Sequence, residues 1–159
     1  MFSNDRNEMA SANPYDDLVM DHIKNARNYR VLNDVNRKAT GTNPLCGDEI
    51  TVFLKVEGDA LAEIAFQCTC CGITMASASI MTEQVRGKPT HDVTDLVQAV
   101  SGILSCARGR SSKFSSPAVE AILETVKRYP ARMRCAALPW FTLDDILKSS
   151  AAGASGLRG

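Results

Sequence analysis

The chain has 159 residues, of which 45% are hydrophobic, so it can bury the core of one domain without help from several disulfides. Its 18 lysines and arginines balance its 18 aspartates and glutamates, which argues against a general electrostatic attraction to nucleic acid. It shows neither an apolar run as long as a membrane span nor a signal peptide. We therefore expect a cytoplasmic protein without membrane or nucleic-acid partners, whose six cysteines are metal ligands, sulfur carriers or buried thiols rather than disulfides.

The ends of the chain differ in composition from its centre. Residues 1–12 are polar and residues 149–159 are rich in alanine, glycine and serine, so we expect flexible tails around one domain at 13–148. Asn13-Pro14 is a helix-start signal, and an apolar stripe continues the first helix. His22 lies on that stripe, where a hydrogen-bonded, half-buried histidine is favoured over a metal ligand.

The next part of the chain predicts a small sheet. Residues 31–43 suggest an irregular edge strand with turns, and two clear strands follow at 51–56 and 61–66, joined by a turn at 57–59. A helix of small and apolar residues follows over 73–85. These elements predict an α/β (α+β) fold, in which helices cover one face of a small antiparallel three-stranded sheet.

The second half of the chain predicts helices. We expect them at 90–106, 117–128 and 142–148, the last opened by a capping box of Thr142 and Asp145, with a turn at 130–138 between them. Trp140 and Phe141 are predicted as core anchors. For the basic loop at 108–115 we favour a solvated surface loop over the alternative, a docking patch for an acidic partner.

Three cysteines lie close together where the second clear strand gives way to the following helix. Cys71 is expected at the helix N-terminus, where free N–H groups and the helix dipole favour a thiolate. In an extended segment, Cys68 and Cys70 share one face and Cys71 takes the other. Cys68 and Cys70 are then thiols that lie beside any site formed by Cys71. Alternatively, one of them resolves a persulfide or exchanges with Cys71 as a metal ligand.

Two further cysteines lie in comparable settings. Cys46 lies in a proline- and glycine-containing loop, and an extended backbone would direct it to the same side as Asp48. That pattern alone favours a turn over a metal site. Cys135 is flanked by Arg132 and Arg134. The chain has no C-x-x-C pair, so neither a zinc ribbon nor a thioredoxin motif is supported.

Three segments together resemble a known family. They are Asn-Pro-x-Cys-Gly-Asp at 43–48, Phe-x4-Cys-x-Ile-x-Met-Ala-Ser-Ala-Ser at 66–79, and Ala-Arg-x2-Cys-Ala-x-Leu-x-Trp at 131–140. This combination is similar to the NifU N-terminal/IscU/SufU family of iron–sulfur cluster assembly proteins, over roughly residues 14–147. The long interval between the second and third of these cysteines resembles the SufU branch. The LPPVK motif by which the IscU branch is recognised by an Hsp70 chaperone is absent.

The resemblance implies a metal site formed by Cys46, Asp48, Cys71 and Cys135, holding Zn²⁺ or an iron-containing [2Fe–2S] cluster. It points to Cys46 as the sulfur acceptor, with Cys135 as the alternative, and we expect Asp48 to be the labile ligand. Arg132 and Arg134, beside Cys135, could stabilise its thiolate or a bound persulfide. The family usually has glycines where this chain has Cys68 and Cys70, and serine in place of Gly72.

Three functions follow from this resemblance. The favoured one is a protein of cluster assembly that accepts persulfide sulfur from a SufS-like cysteine desulfurase and passes it on to downstream acceptors. Whether it acts as an enzyme, a zinc-dependent sulfurtransferase, is left open. The alternatives are a scaffold that builds and transfers a [2Fe–2S] cluster on the same residues, and a structural zinc module. An aspartate ligand argues against the structural module, because permanent zinc sites are usually closed by cysteine and histidine.

Overall fold

A computed structural model describes residues 14–43, 47–106 and 117–152. The helices and strands lie in the order α1 (Pro14–Lys24), β1 (Arg37–Asn43), β2 (Asp48–Glu57), β3 (Ala60–Thr69), α2 (Gly72–Val85), α3 (Thr90–Cys106), α4 (Pro117–Arg128), a 3₁₀ turn (Pro130–Arg132) and α5 (Met133–Ala152). The predicted α+β class is confirmed. In the parts described, no helix is both long and apolar enough to cross a membrane.

The three strands form an antiparallel sheet in the order β1-β2-β3, as predicted. Gly58 makes the β2–β3 turn with φ 62°, a conformation that glycine adopts without steric cost. The central strand directs Ile50, Val52 and Leu54 into the core, where all three are fully buried. In β1, half-buried and exposed positions alternate over most of its length, as expected for an edge strand with one face in solvent.

Helix α2 is the central helix of the fold. It packs against α1, α4 and α5, and nine of its fourteen residues are buried. Its run of alanines and serines allows these helices to approach closely. One buried hydroxyl, Ser79 Oγ, accepts the N–H of Arg27 at 2.8 Å and lies 2.7 Å from Nδ1 of His22. His22 is therefore a buried, hydrogen-bonded histidine, which confirms the interpretation favoured from the sequence.

The prediction for the C-terminal region was wrong in one respect. Instead of a turn at 130–138 and a separate capped helix at 142–148, α5 is continuous from Met133 to Ala152, with Pro139 inside it. Thr142 does not cap a new helix, because its hydroxyl donates to the carbonyl of Leu138 at 2.8 Å, one turn earlier in the same helix. The helix ends at Ala152, and the domain boundary at 148 stays a prediction.

The two predicted aromatic anchors have different environments. Trp140 is fully buried, and its Nε1 donates to Ser77 Oγ at 2.9 Å, as expected of a core residue. Phe141 is 41% exposed, so its assignment to the core was wrong. Successive residues of a helix point about 100° apart, so only one of these neighbours can face α2. The predicted tail at 1–12 and the basic loop at 108–115 lie outside the described residues.

Candidate metal centre

The candidate site joins three elements at one end of the sheet. Asp48 is the first residue of β2, Cys71 immediately precedes α2, and Cys135 lies in the first turn of α5. A carboxylate oxygen of Asp48 and the sulfurs of both cysteines lie within 4.8 Å of one another. Asp48 and Cys135 are buried, whereas Cys71 is half-buried. The fold thus brings together three of the four residues that the resemblance groups into a metal site.

Hydrogen bonds fix the carboxylate of Asp48 towards the start of α2. The backbone N–H of Cys71 donates to Oδ1 of Asp48 at 3.2 Å, and Oγ1 of Thr74 lies 2.8 Å from Oδ2. Cys71 has extended backbone angles (φ −78°, ψ 169°) and occupies the N-cap position. This places its sulfur at a helix N-terminus, where the dipole favours an anionic group.

Thr74 contacts all three site residues. Besides Asp48, its Oγ1 lies 3.1 Å from the carbonyl oxygen of Cys135 and 3.5 Å from Sγ of Cys71. The hydroxyl has a single hydrogen, so it donates to one acceptor at a time. Sequence reasoning did not identify Thr74. The available signal was its spacing, since helical residues three apart lie on the same face.

Opposing effects act on the thiol of Cys71. Burial raises its pKa, and the neighbouring carboxylate of Asp48 raises it too. The side chain and backbone N–H of Thr74, together with the thiol of Cys135, donate hydrogen bonds that favour the thiolate. These donors prevail, and the pKa of Cys71 lies below its ordinary value of 9.0.

Arg132 supplies positive charge at the site. Its side chain is exposed, and its pKa is raised by a hydrogen bond to Cys135 and by the negative charges of Cys71 and Cys135. The same interaction favours the anionic form of both sulfurs. The predicted role of Arg132 in stabilising anionic sulfur therefore has a structural basis. Arg134 is exposed as well.

The donor set suits a thiophilic divalent metal ion. Two cysteine sulfurs and a carboxylate this close together would repel one another when all are ionised, and a cation held between them would offset that repulsion. Thiolate sulfur binds zinc at about 2.3 Å and is also the preferred ligand of iron–sulfur clusters. Three protein ligands leave one position of a tetrahedral centre for a fourth donor.

Cys46, the fourth predicted ligand, lies outside the described residues. Its surroundings are described on both sides: Asn43 pairs with Asp48 across the sheet, and the N–H of Gly47 donates to the carbonyl of Asn43 at 2.9 Å. Gly47 has φ 75°, which favours glycine. The role of Cys46 as a ligand therefore stays a prediction.

The prediction that the cysteines do not form disulfides was wrong for one pair. Cys68 and Cys70 are joined by a disulfide, so they are not free thiols beside the site. The predicted sharing of one face explains the bond, because residues two apart in an extended segment project to the same side. Their Cα atoms lie 5.5 Å apart, a separation typical of disulfides.

Comparison with known proteins agrees with this geometry. Residues 14–136 match the family described as the NifU-like N terminal domain. The chain is 35% identical over 130 residues to the zinc-dependent sulfurtransferase SufU of Bacillus subtilis, covering 82% of this chain and 86% of that protein. It is 31% identical over 134 residues to the iron–sulfur cluster assembly scaffold protein IscU of Thermotoga maritima, covering 84% and 92%.

A solved structure shows the same architecture. The crystal structure described as an iron–sulfur cluster assembly scaffold protein for the SUF system, from Fervidobacterium islandicum AW-1, superposes with a TM-score of 0.72 at 27% identity. The match covers 82% of this chain and 93% of that one. The resemblance inferred from the three motif segments is confirmed, and the chain belongs to the NifU-like N-terminal domain family.

Proposed function

We propose that this protein takes part in iron–sulfur cluster assembly by accepting persulfide sulfur from a SufS-like cysteine desulfurase in the cytoplasm. The observation that carries the proposal is the convergence of Asp48, Cys71 and Cys135 within 4.8 Å in a chain related to a zinc-dependent sulfurtransferase. We assign the fourth position to Cys46, two residues before Asp48 in the sequence.

The proposed resident metal is Zn²⁺, held by Cys46, Asp48, Cys71 and Cys135. When bound, it would keep the ligand thiols deprotonated and hold three elements of the fold together. The carboxylate is the only hard oxygen ligand among three soft thiolates, so Asp48 is the ligand most readily displaced. An exchangeable ligand suits a centre that must release a cysteine for chemistry.

Sulfur transfer itself requires an accessible thiolate. The thiolate of Cys46 would attack the outer sulfur of the desulfurase persulfide, and the desulfurase cysteine would leave as a thiolate. The new persulfide would then reside on Cys46 until it is passed on. Cys135 is a poorer candidate for this first attack because its side chain is fully buried. The exposed guanidinium of Arg132 would stabilise anionic sulfur during the exchange.

The test is alanine formation from L-cysteine by a purified SufS-like desulfurase, with and without this protein. We expect the wild-type chain to increase turnover and Cys46→Ser to abolish the increase. Cys106→Ser, which removes a cysteine at the end of α3, serves as the thiol-matched control and should retain it. No increase with the wild-type protein would contradict the proposal.

A second candidate function is a scaffold that builds and transfers a [2Fe–2S] cluster. It is favoured by the similarity to IscU of Thermotoga maritima and by the same thiolate-rich donor set. In this case the cluster is cargo, and its release would again depend on Asp48, whose carboxylate is a weaker ligand of the cluster than a thiolate. Anaerobic reconstitution with iron and sulfide should then give a brown protein whose colour is lost in Cys71→Ser.

A further inference from the structure

The disulfide between Cys68 and Cys70 lies directly beside the candidate metal centre. Cys70 precedes Cys71 in the chain, so their Cα atoms are about 3.8 Å apart. Cys68 pairs with Ile50 across the sheet, and Thr69 pairs with Glu49, the neighbour of Asp48. Both cysteine residues are half-buried, so part of the pair is exposed to solvent.

The backbone that carries the pair is held on both sides. The hydroxyl of Tyr29 donates to the carbonyl oxygen of Cys68 at 3.2 Å, and the N–H of Cys71 donates to Asp48 at 3.2 Å. The side chain of Cys68 also packs against the hydrophobic core. Because these contacts do not depend on the disulfide, the two thiols should stay adjacent after reduction and re-form the bond readily.

We propose that Cys68 and Cys70 form a redox-active dithiol that reduces the sulfane sulfur delivered to the neighbouring centre and releases it as sulfide. The inference deepens the proposed function and rests on it for the delivery of sulfur in the cell. It assigns to this chain the two electrons that separate persulfide sulfur from the sulfide found in iron–sulfur clusters.

The chemistry balances in two exchange steps. The thiolate of Cys70 attacks the outer sulfur of a persulfide, which moves to Cys70, while the original carrier cysteine leaves as a thiolate. The thiolate of Cys68 then attacks Sγ of Cys70, the terminal S–S bond breaks, and hydrosulfide leaves. Two thiols are oxidised to one disulfide, one sulfane sulfur is reduced to sulfide, and the two thiol protons end on the carrier thiol and the sulfide.

The cycle requires a reductant to reopen the disulfide. A dithiol reductant, either a protein of the thioredoxin class or a small dithiol, would reduce it by the same exchange chemistry. Both residues are half-buried rather than fully enclosed, so part of the pair is exposed to such a reductant. The state with the Cys68–Cys70 bond is therefore the oxidised product of one turnover.

The test is a single-turnover sulfide assay on the full-length protein. The chain is reduced anaerobically, freed of reductant, and mixed with glutathione persulfide in one arm or with desulfurase and L-cysteine in the other. Released sulfide is quantified, and the thiols of Cys68 and Cys70 are mapped by alkylation and mass spectrometry. The variants are Cys68→Ser and Cys70→Ser, with Cys106→Ser as the thiol-matched control.

We expect the wild type and Cys106→Ser to release about one sulfide per chain as Cys68 and Cys70 become disulfide-bonded. Both serine variants of the pair should release at least about tenfold less. Equal sulfide release from Cys68→Ser, or release from the wild type with both thiols still reduced, would overturn the proposal. Failure in the desulfurase arm alone would count against the proposed function and leave the dithiol chemistry supported.

Discussion

His22 shows how one buried side chain links the fold to pH. Its ring lies between Ser79 and Glu83, with Arg27 and Asp21 nearby, and it is only 3% exposed. Burial lowers its pKa below the ordinary value of 6.5, and the positive charge of Arg27 lowers it further, while Glu83 and Asp21 act in the opposite direction. The folded protein therefore holds a neutral imidazole.

The stability of the fold should accordingly depend on His22 in acid. The unfolded chain takes up the proton at the ordinary pKa of 6.5, whereas the folded chain takes it up only at lower pH. The contribution is therefore fully present above pH 6.5 and is lost as the pH falls below it. Urea midpoints measured between about pH 7.5 and 5.5 should fall more steeply for the wild type than for His22→Asn. Equal slopes would contradict this assignment.

Because of Pro139, the continuity of α5 depends on hydrogen bonds from α2. A proline inside a helix has no N–H to donate to the residue four positions earlier, which here is Cys135. The hydroxyl of Thr74 lies 3.1 Å from that carbonyl oxygen and offers it a donor from another helix, which it shares with Asp48. Next to it, Ser77 donates to the carbonyl of Ala136 at 2.6 Å. The helix thus continues through its proline, and its first turn, which contains Cys135, is held against α2.

Thr74→Val should therefore destabilise the protein by about 1–3 kcal/mol, because it removes a buried hydroxyl that lies within hydrogen-bond distance of both the carboxylate of Asp48 and the carbonyl of Cys135. Thr125→Val is the matched control and should cost less. Thr125 is also buried, but its hydroxyl donates to a carbonyl of its own helix, Ala121. Adding Pro139→Ala should restore part of the loss, since an alanine at that position provides the N–H that proline lacks. Urea unfolding checks this, and equal losses in both threonine variants would refute it.

The contact between β1 and α5 depends on a glycine. A Cβ at Gly41 would collide with the hydroxyl of Thr142 and would lie 3.3 Å from Cδ1 of Leu138. Gly41→Ala should therefore cost about 1–3 kcal/mol through overpacking, and the cost should be smaller in a Thr142→Ala background. Gly102→Ala, a control with open space at its Cβ, should stabilise by about 0.5–1 kcal/mol. The same penalty in both backgrounds would count against this contact.

These elements also show which parts of the fold could be predicted. The strands around Gly58 and the helix after Cys71 have local signals, namely alternation, a tight turn and helical periodicity, and they were predicted correctly. The continuity of α5 could not be predicted, because the donor that compensates for Pro139 comes from Thr74, 65 positions earlier in the chain (139 − 74).

The same distinction holds for the site. The grouping of Asp48, Cys71 and Cys135 was predicted from a family resemblance, since nothing in their spacing brings them together. The disulfide of Cys68 and Cys70 was not predicted, although their shared face was. Cytoplasmic cysteines are usually reduced, and this general expectation favoured free thiols even though the two cysteines lie on the same face.

At the scale of the whole molecule, the three site residues come from β2, the start of α2 and α5. None of these elements could form the site alone, so the site exists only in the folded arrangement of sheet and helices. We propose that these residues hold one metal ion per chain.

The most direct test is metal analysis of anaerobically purified protein, beside Cys71→Ser, Asp48→Ala and the control Cys106→Ser. We expect about one zinc per chain in the wild type and the control, loss of the metal in Cys71→Ser, and weaker retention in Asp48→Ala. Iron with acid-labile sulfide in place of zinc would favour the scaffold function on the same residues. An unchanged metal content in Cys71→Ser would show that Cys71 is not a ligand and would contradict a metal site at these residues.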